Sequence, residues 1–171
     1  GHITYMRTDS TNLSKVAQAQ ILSFVEKNYG KEYVSANIYK TKSKNAQEAH
    51  EAIRPTHVEV MHAGTEEQQK LYRLIWERAV SSQMTPAQLL KTKITAEIEN
   101  EKDLPGFSAN GSRLLFPGWL KVDSAARGED VELPKVKVGE KLNLVNLEKL
   151  EKFTEPPSRY SEAGLVKELE E

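Results

Sequence analysis

The sequence predicts an α+β chain of more than one domain, with a helical domain first and an antiparallel β domain after it. Three observations predict it. Apolar residues recur at helical spacing through the first half. The period drops from 3.6 to 2 after Thr85-Pro86, and an Asn-Gly pair stands among the later alternating segments. The expected division is 1–86 helical, 87–157 antiparallel β, and 158–171 the start of a helix leading to a further domain.

In the helical part, Ser14 is placed to cap a helix that sets Ala17, Ile21, Phe24 and Val25 on one face and stops at Gly30. A polar stretch over 41–45 leads to a short helix over 46–53, ended by Arg54-Pro55 because the residue before proline avoids the α region. Thr65 caps the strongest helix, which runs to Gln83 with Leu71, Leu74, Ile75, Arg78 and Ala79 on one side. Glu66 and Glu67 stand in its first turn, where the helix dipole favours them. Tyr72, Trp76 and Met84 read as core packing rather than a stacking platform.

In the β part, Thr92, Ile94, Ala96 and Ile98 alternate with polar residues as in a half-buried strand. Residues 107–109 and 113–116 flank Asn110-Gly111, a hairpin-turn signal because both positions tolerate φ > 0. Residues 119–122 and 141–147 are further strand candidates, 123–140 reads as exposed loop, and Ser161 begins a terminal helix after Pro156-Pro157.

Composition narrows the function classes. The chain has 171 residues, 24 Lys and Arg against 25 Asp and Glu, and no cysteine. Disulfides and thiolate metal sites are excluded, and no stretch reaches the roughly 18 apolar residues of a membrane span. A net charge of −1 argues against a free-standing nucleic-acid binder, which is usually basic. Residues 1–60 carry 8 Lys and Arg against 6 Asp and Glu, while 101–171 carry 11 against 14, so a polyanion site is expected in the N-terminal part. The chain starts without Met and stops inside a helical pattern, which suggests a piece of a longer protein.

Two segments could carry chemistry. In Ile3-Thr4-Tyr5-Met6-Arg7-Thr8-Asp9-Ser10, an extended backbone would put Tyr5 and Arg7 on one side. A phenol beside a guanidinium suits attack on a phosphodiester. The cation favours the phenolate, whose reference pKa is about 10, and can fork onto phosphate oxygens as charge builds. In Glu48-Ala49-His50-Glu51-Ala52-Ile53-Arg54-Pro55, a helix would set His50 and Arg54 on one face, able to hold a phosphate. The start resembles a zinc-protease motif, but the second histidine position is Arg54, which cannot ligate zinc. Each segment alone fits a plainer reading better: a buried tyrosine, turn and cap residues, and ordinary structural pairs.

Together the two segments resemble the type IA DNA topoisomerases. Ile3-Thr4-Tyr5-Met6-Arg7-Thr8-Asp9-Ser10-Thr11-Asn12-Leu13-Ser14 is similar to the family's active-site tyrosine motif, and Ala46-Gln47-Glu48-Ala49-His50-Glu51-Ala52-Ile53-Arg54-Pro55 to its second signature. Leu71-Tyr72-Arg73-Leu74-Ile75-Trp76, Gln83-Met84-Thr85-Pro86-Ala87, Phe116-Pro117-Gly118-Trp119 and the stretch from Phe153 to Ala163 extend the resemblance in order along nearly the whole chain. Met6 and the Ser-Thr-Asn run favour the bacterial topoisomerase I branch over topoisomerase III, which usually has Pro at that position.

The resemblance implies transient cleavage of single-stranded DNA by Tyr5 through a 5′-phosphotyrosine, with religation that relaxes negative supercoils without ATP. It implies Arg7 on the scissile phosphate, His50 near the DNA backbone, and Arg54 in the same phosphate-binding segment. It implies that the helical domain bears the tyrosine and that the β domain belongs to an arch around a DNA-sized hole, both swinging away to open the gate. The family's Mg²⁺ site belongs to an acidic Toprim domain that this chain does not contain, and the usual Gly-Arg-Pro-Ser-Thr stretch after the last helix is also outside it. The expected partners are single-stranded DNA and the Toprim and C-terminal parts of the same polypeptide, in a monomeric bacterial protein of the cytoplasm and nucleoid with no membrane association. The chain alone is expected to be inactive. A non-catalytic single-stranded-DNA-binding module and a structural interaction module are the alternatives. The net charge and core-like aromatics argue against the first, and the two motifs together against the second.

Overall fold

The computed structural model describes residues 1–39, 50–99 and 105–170. Its elements are helices α1 (Lys15–Tyr29), α2 (Glu66–Ser81) and α3 (Glu162–Glu170), strands β1 (Gln88–Ala96) and β2 (Phe107–Phe116), and 3₁₀ turns at Lys31–Tyr33, Gly118–Lys121 and Ser124–Ala126. The chain gathers into two compact units, Gly1–Lys135 and Val136–Glu171. The change from helix to strand after Met84 therefore lies inside the first unit. No described helix is long and apolar enough to cross a membrane.

α1 forms where its sequence asks for it. The Ser14 hydroxyl accepts from the Ala17 amide at 3.3 Å, and Gly30, at φ 109°, closes the helix by donating its N–H to the Glu26 carbonyl. Ala17, Ile21 and Val25 are buried on the expected face. α2 opens on a capping box between Thr65 and Gln68. Its buried face is Tyr72, Trp76, Ala79 and Val80, whereas Leu71 and Leu74 are 59% and 55% exposed. The expected face is thus rotated by about one residue. The two aromatics decide it, because each buries a large apolar body while its polar atom finds a carbonyl: Trp76 Nε1 donates to Val58 O at 2.8 Å and Tyr72 Oη to Val60 O at 2.6 Å.

One core joins these pieces. Ile21 and Val25 from α1 meet Tyr72, Trp76 and Val80 from α2, Val58 and Ala63 from the segment between them, and Met84 and Val122 beyond. Phe24 stands edge-on to Trp76 with centroids 5.7 Å apart. The buried amide of Gln83 is fully engaged. The buried Gln83 side chain accepts from the Asn37 amide at 3.2 Å and donates to the Asn37 carbonyl at 3.1 Å, copying a strand pair, and also accepts from Gln18 Nε2 at 2.9 Å.

β1 and β2 pair antiparallel with Lys93 opposite Asn110 and Thr92 opposite Gly111. Asn110-Gly111 is therefore not the turn that the dipeptide predicts; it lies in the middle of β2. Gly111 serves a close approach instead: Ser112 and Val131 exchange backbone hydrogen bonds at 2.9 and 2.8 Å, and a Cβ on Gly111 would stand 2.8 Å from Val131 O and from Leu133 Cγ. Alternating cover in β1 is seen at Ile94 and Ala96, while Thr92 is exposed. The expected strand over 119–122 is a 3₁₀ turn, because Gly118 at φ 48° turns the chain and Trp119 N–H bonds back to Thr85 O at 3.0 Å. The expected strand over 141–147 has no regular structure, and its Leu142, Leu144 and Leu147 are exposed; a strand needs a paired neighbour, and no described strand pairs with it. The terminal helix forms one residue after Ser161, whose hydroxyl accepts from the Gly164 amide at 3.1 Å.

Candidate active site

The segment that bears Tyr5 is short of regular structure and is held by cross-links to residues 50–56. Ile3 bridges Pro55 in an antiparallel pair. Thr4 N–H donates to Arg54 O at 3.0 Å, Thr56 N–H donates to His2 O at 3.1 Å, and the Thr56 hydroxyl donates to Gly1 O at 2.8 Å. The Thr4 hydroxyl donates to Ala52 O at 2.8 Å and accepts from Arg54 N–H at 3.0 Å. Further along, Ala52 N–H donates to Asn12 O at 2.8 Å. The two sequence motifs are therefore neighbours in space.

Residues 46–49 of the expected short helix lie outside the described residues, and 50–53 are not helical. Their backbone groups bond across to Thr4 and Asn12 rather than along a helix, so His50 and Arg54 do not share a helix face. Likewise the backbone is extended at Ile3 but bends at Thr4, Met6 and Arg7, so the alternation expected to align Tyr5 with Arg7 does not run through this segment.

Tyr5 is 58% exposed. Its ring meets His50 edge to face, with centroids 5.3 Å apart and planes at 72°. His50 is half-buried, and its Nδ1 is buried with no hydrogen-bond partner among the described residues. Arg7 is exposed and makes no ion pair among the described residues. Arg54 differs: its side chain is 15% exposed, and its guanidinium is engaged with Glu51 Oε2 at 2.6 and 3.1 Å and with Pro55 O at 3.0 Å.

Glu51 links this segment to α1. Its Oε1 accepts from the Ser14 amide at 2.8 Å while Oε2 holds Arg54. Burial pushes the Glu51 carboxyl up, but the hydrogen bonds from Ser14 and Arg54 and the Arg54 charge outweigh it and hold it below the ordinary value. On the other side, Thr11 Oγ1 donates to Tyr39 O at 3.1 Å and Tyr39 Oη to Ser82 O at 3.0 Å, tying the end of the motif to the chain that Gln83 clamps. Motif reading missed Thr4 and Glu51. For Glu51 a signal existed, a carboxylate three residues before an arginine; for Thr4 nothing in the sequence marks it.

An exposed phenol against a histidine, on a backbone pinned by a second motif with two arginines nearby in sequence, is an arrangement suited to phosphodiester chemistry. The DNA topoisomerase family model matches residues 1–171. The chain belongs to the bacterial type IA DNA topoisomerase I family. It is 46% identical over 177 residues to DNA topoisomerase 1 of Vibrio cholerae and 47% identical over 178 residues to that of Escherichia coli K12, in each case over 99% of this chain and 20% of the relative. The solved structure of full-length topoisomerase I from Thermotoga maritima superposes with a TM-score of 0.76 at 32% identity, over 99% of this chain and 27% of that one. The chain thus spans about a fifth to a quarter of the length of its topoisomerase relatives. Among the described residues no group of three or more His, Asp or Glu side chains is placed to hold a metal ion.

Proposed function

We propose that this chain supplies the nucleophile of a type IA DNA topoisomerase. Tyr5 Oη attacks a phosphodiester of single-stranded DNA. A tyrosyl O–P bond to the 5′-phosphate forms, the P–O3′ bond breaks, the phenol proton leaves, and the 3′ oxygen departs as a hydroxyl after taking up a proton. Because one phosphoester replaces another, religation by the 3′-hydroxyl needs no ATP, and strand passage between the two steps relaxes negative supercoils. Arg7 anchors the scissile phosphate and His50 lies against the DNA backbone. Arg54, committed to Glu51 and Pro55, supports the segment rather than reaching DNA. In this reading the helical part carries the nucleophile and the hairpin of β1 and β2, in the same unit Gly1–Lys135, belongs to the arch. The Toprim domain with its Mg²⁺ site and the C-terminal parts belong to the rest of a monomeric, cytoplasmic protein, so this chain alone is expected not to relax supercoiled DNA.

The observation that carries the reading is the exposed Tyr5 ring edge-on to His50, on a segment pinned to the second motif, in a chain of this family. The test is Tyr5→Phe in the full-length protein. Phenylalanine keeps the ring and loses only the oxygen, so covalent DNA adduct should vanish while single-strand affinity stays within about twofold. An adduct formed by that variant would overturn the assignment.

A further inference from the structure

Tyr5 is more than half exposed, so packing does little to fix where its hydroxyl sits. Its place is set by the backbone just before it. There the Thr4 hydroxyl does two things at once across some fifty residues of chain: it donates to Ala52 O at 2.8 Å and accepts from Arg54 N–H at 3.0 Å. Residues 50–54 form neither helix nor strand, so their backbone groups need partners from elsewhere. One of the donors and one of the acceptors are satisfied by this single hydroxyl, while the Thr4 amide takes Arg54 O at 3.0 Å. The Thr4 hydroxyl, adjacent to Tyr5, thus adds a side-chain clasp to the backbone bonds that hold the tyrosine segment against the His50 segment. The 5.3 Å edge contact of Tyr5 on His50 lies directly beyond that clasp.

We propose that Thr4 is a positioning residue for the cleavage reaction, its hydroxyl clasping residues 52 and 54 so that Tyr5 is presented to the phosphodiester in register with His50. This rests on the reading of Tyr5 as nucleophile. Thr4 touches no reacting atom. Its effect is on the rate of attack, where displacement of the nucleophile by about 1 Å costs on the order of 10²-fold, and not on the contacts that hold DNA.

The test uses three variants of the full-length protein: Thr4→Val, which keeps the branched shape and removes the hydroxyl; Thr4→Ser, which keeps the hydroxyl and removes the methyl; and Tyr5→Phe. Single-turnover cleavage of a single-stranded oligonucleotide and its binding affinity are measured separately. Thr4→Val should cleave about 10- to 100-fold more slowly with affinity within about twofold, and Thr4→Ser should return to within about threefold of the parent rate. Wild-type cleavage by Thr4→Val overturns the inference. So does equal loss of rate in Thr4→Ser, the variant that remains informative if Thr4→Val does not fold, because the hydroxyl is then not the cause. So does a loss of affinity matching the loss of rate. If Tyr5→Phe still forms adduct, the reading of the nucleophile itself has failed; if it does not and Thr4→Val is normal, only the positioning role has.

Discussion

Tyr5 and His50, 45 positions apart in the sequence, meet edge to face with ring centroids 5.3 Å apart. The contact brings the two motifs together in space. It places a half-buried imidazole beside an exposed phenol, and the backbone that carries each is bonded to the other's. The predictions below concern what surrounds that pair.

Arg7, exposed and unpaired by any described carboxylate, is expected to act on the transition state more than on affinity. In the full-length protein Arg7→Ala should slow cleavage by roughly 10²–10³. It should weaken single-strand binding modestly, with a salt slope smaller by about one unit. Arg7→Lys should recover only part of the rate, since a point charge cannot reproduce the planar fork. Cleavage at the parent rate in Arg7→Ala would make Arg7 a bystander.

The Glu51 link should respond to acid in a defined direction. Its carboxyl is held below the ordinary glutamate value by Ser14 and Arg54, so the native state gains from its ionisation. That gain is complete above the unfolded value and is lost as pH falls through the folded one. The Ser14 amide proton, which donates to Glu51, should therefore shift in NMR spectra with a midpoint below the ordinary glutamate value. The shift should be absent in Glu51→Gln. A midpoint at or above the ordinary value would show that Ser14 and Arg54 do not favour the carboxylate.

Gly118 should tolerate no side chain. At φ 48° a Cβ would run into Thr85 O and stand 2.6 Å from Pro86 C. The left-handed conformation alone costs about 1–2 kcal/mol, so with the overlap Gly118→Ala should lose more than about 2 kcal/mol in denaturant unfolding. Gly128, with no atom within 4 Å of its added Cβ, is the control. Gly128→Ala should change stability by less than about 0.5 kcal/mol.

What the sequence made legible was local. Ser14 and Gly30, and Thr65, mark helix ends that involve only residues a turn apart, and both helices begin where expected, although α2 ends at Ser81 rather than Gln83. Where a distant partner decides, the reading failed. Asn110-Gly111 carries a turn signature, but residues 131–133 lie against it, and the glycine is needed for that approach. Residues 50–53 end a stretch read as helical, yet backbone groups there are claimed by Thr4 and Asn12. Tyr72 and Trp76 lie in the core as read, but the face expected through Leu71 and Leu74 turned by one residue, because the carbonyls of Val58 and Val60 take the polar atoms of Trp76 and Tyr72. The two motifs were visible as sequence, and so was the Glu51–Arg54 spacing; the reach of Glu51 to Ser14 and the Thr4 clasp were not, because their partners lie 37 to 50 positions away.

The central claim is that Tyr5 becomes joined to DNA through a 5′-phosphate, and the most direct measurement follows both ends of one cut. The full-length protein is trapped on a single-stranded oligonucleotide labelled at its 3′ end or at its 5′ end, and the adducted peptide is sequenced by mass spectrometry. The 3′ label should stay with the protein, the 5′-labelled piece should be released with a free 3′-hydroxyl, and the modified residue should be Tyr5. Retention of the 5′ label on the protein, or an adduct mapped to any other residue, would contradict the account.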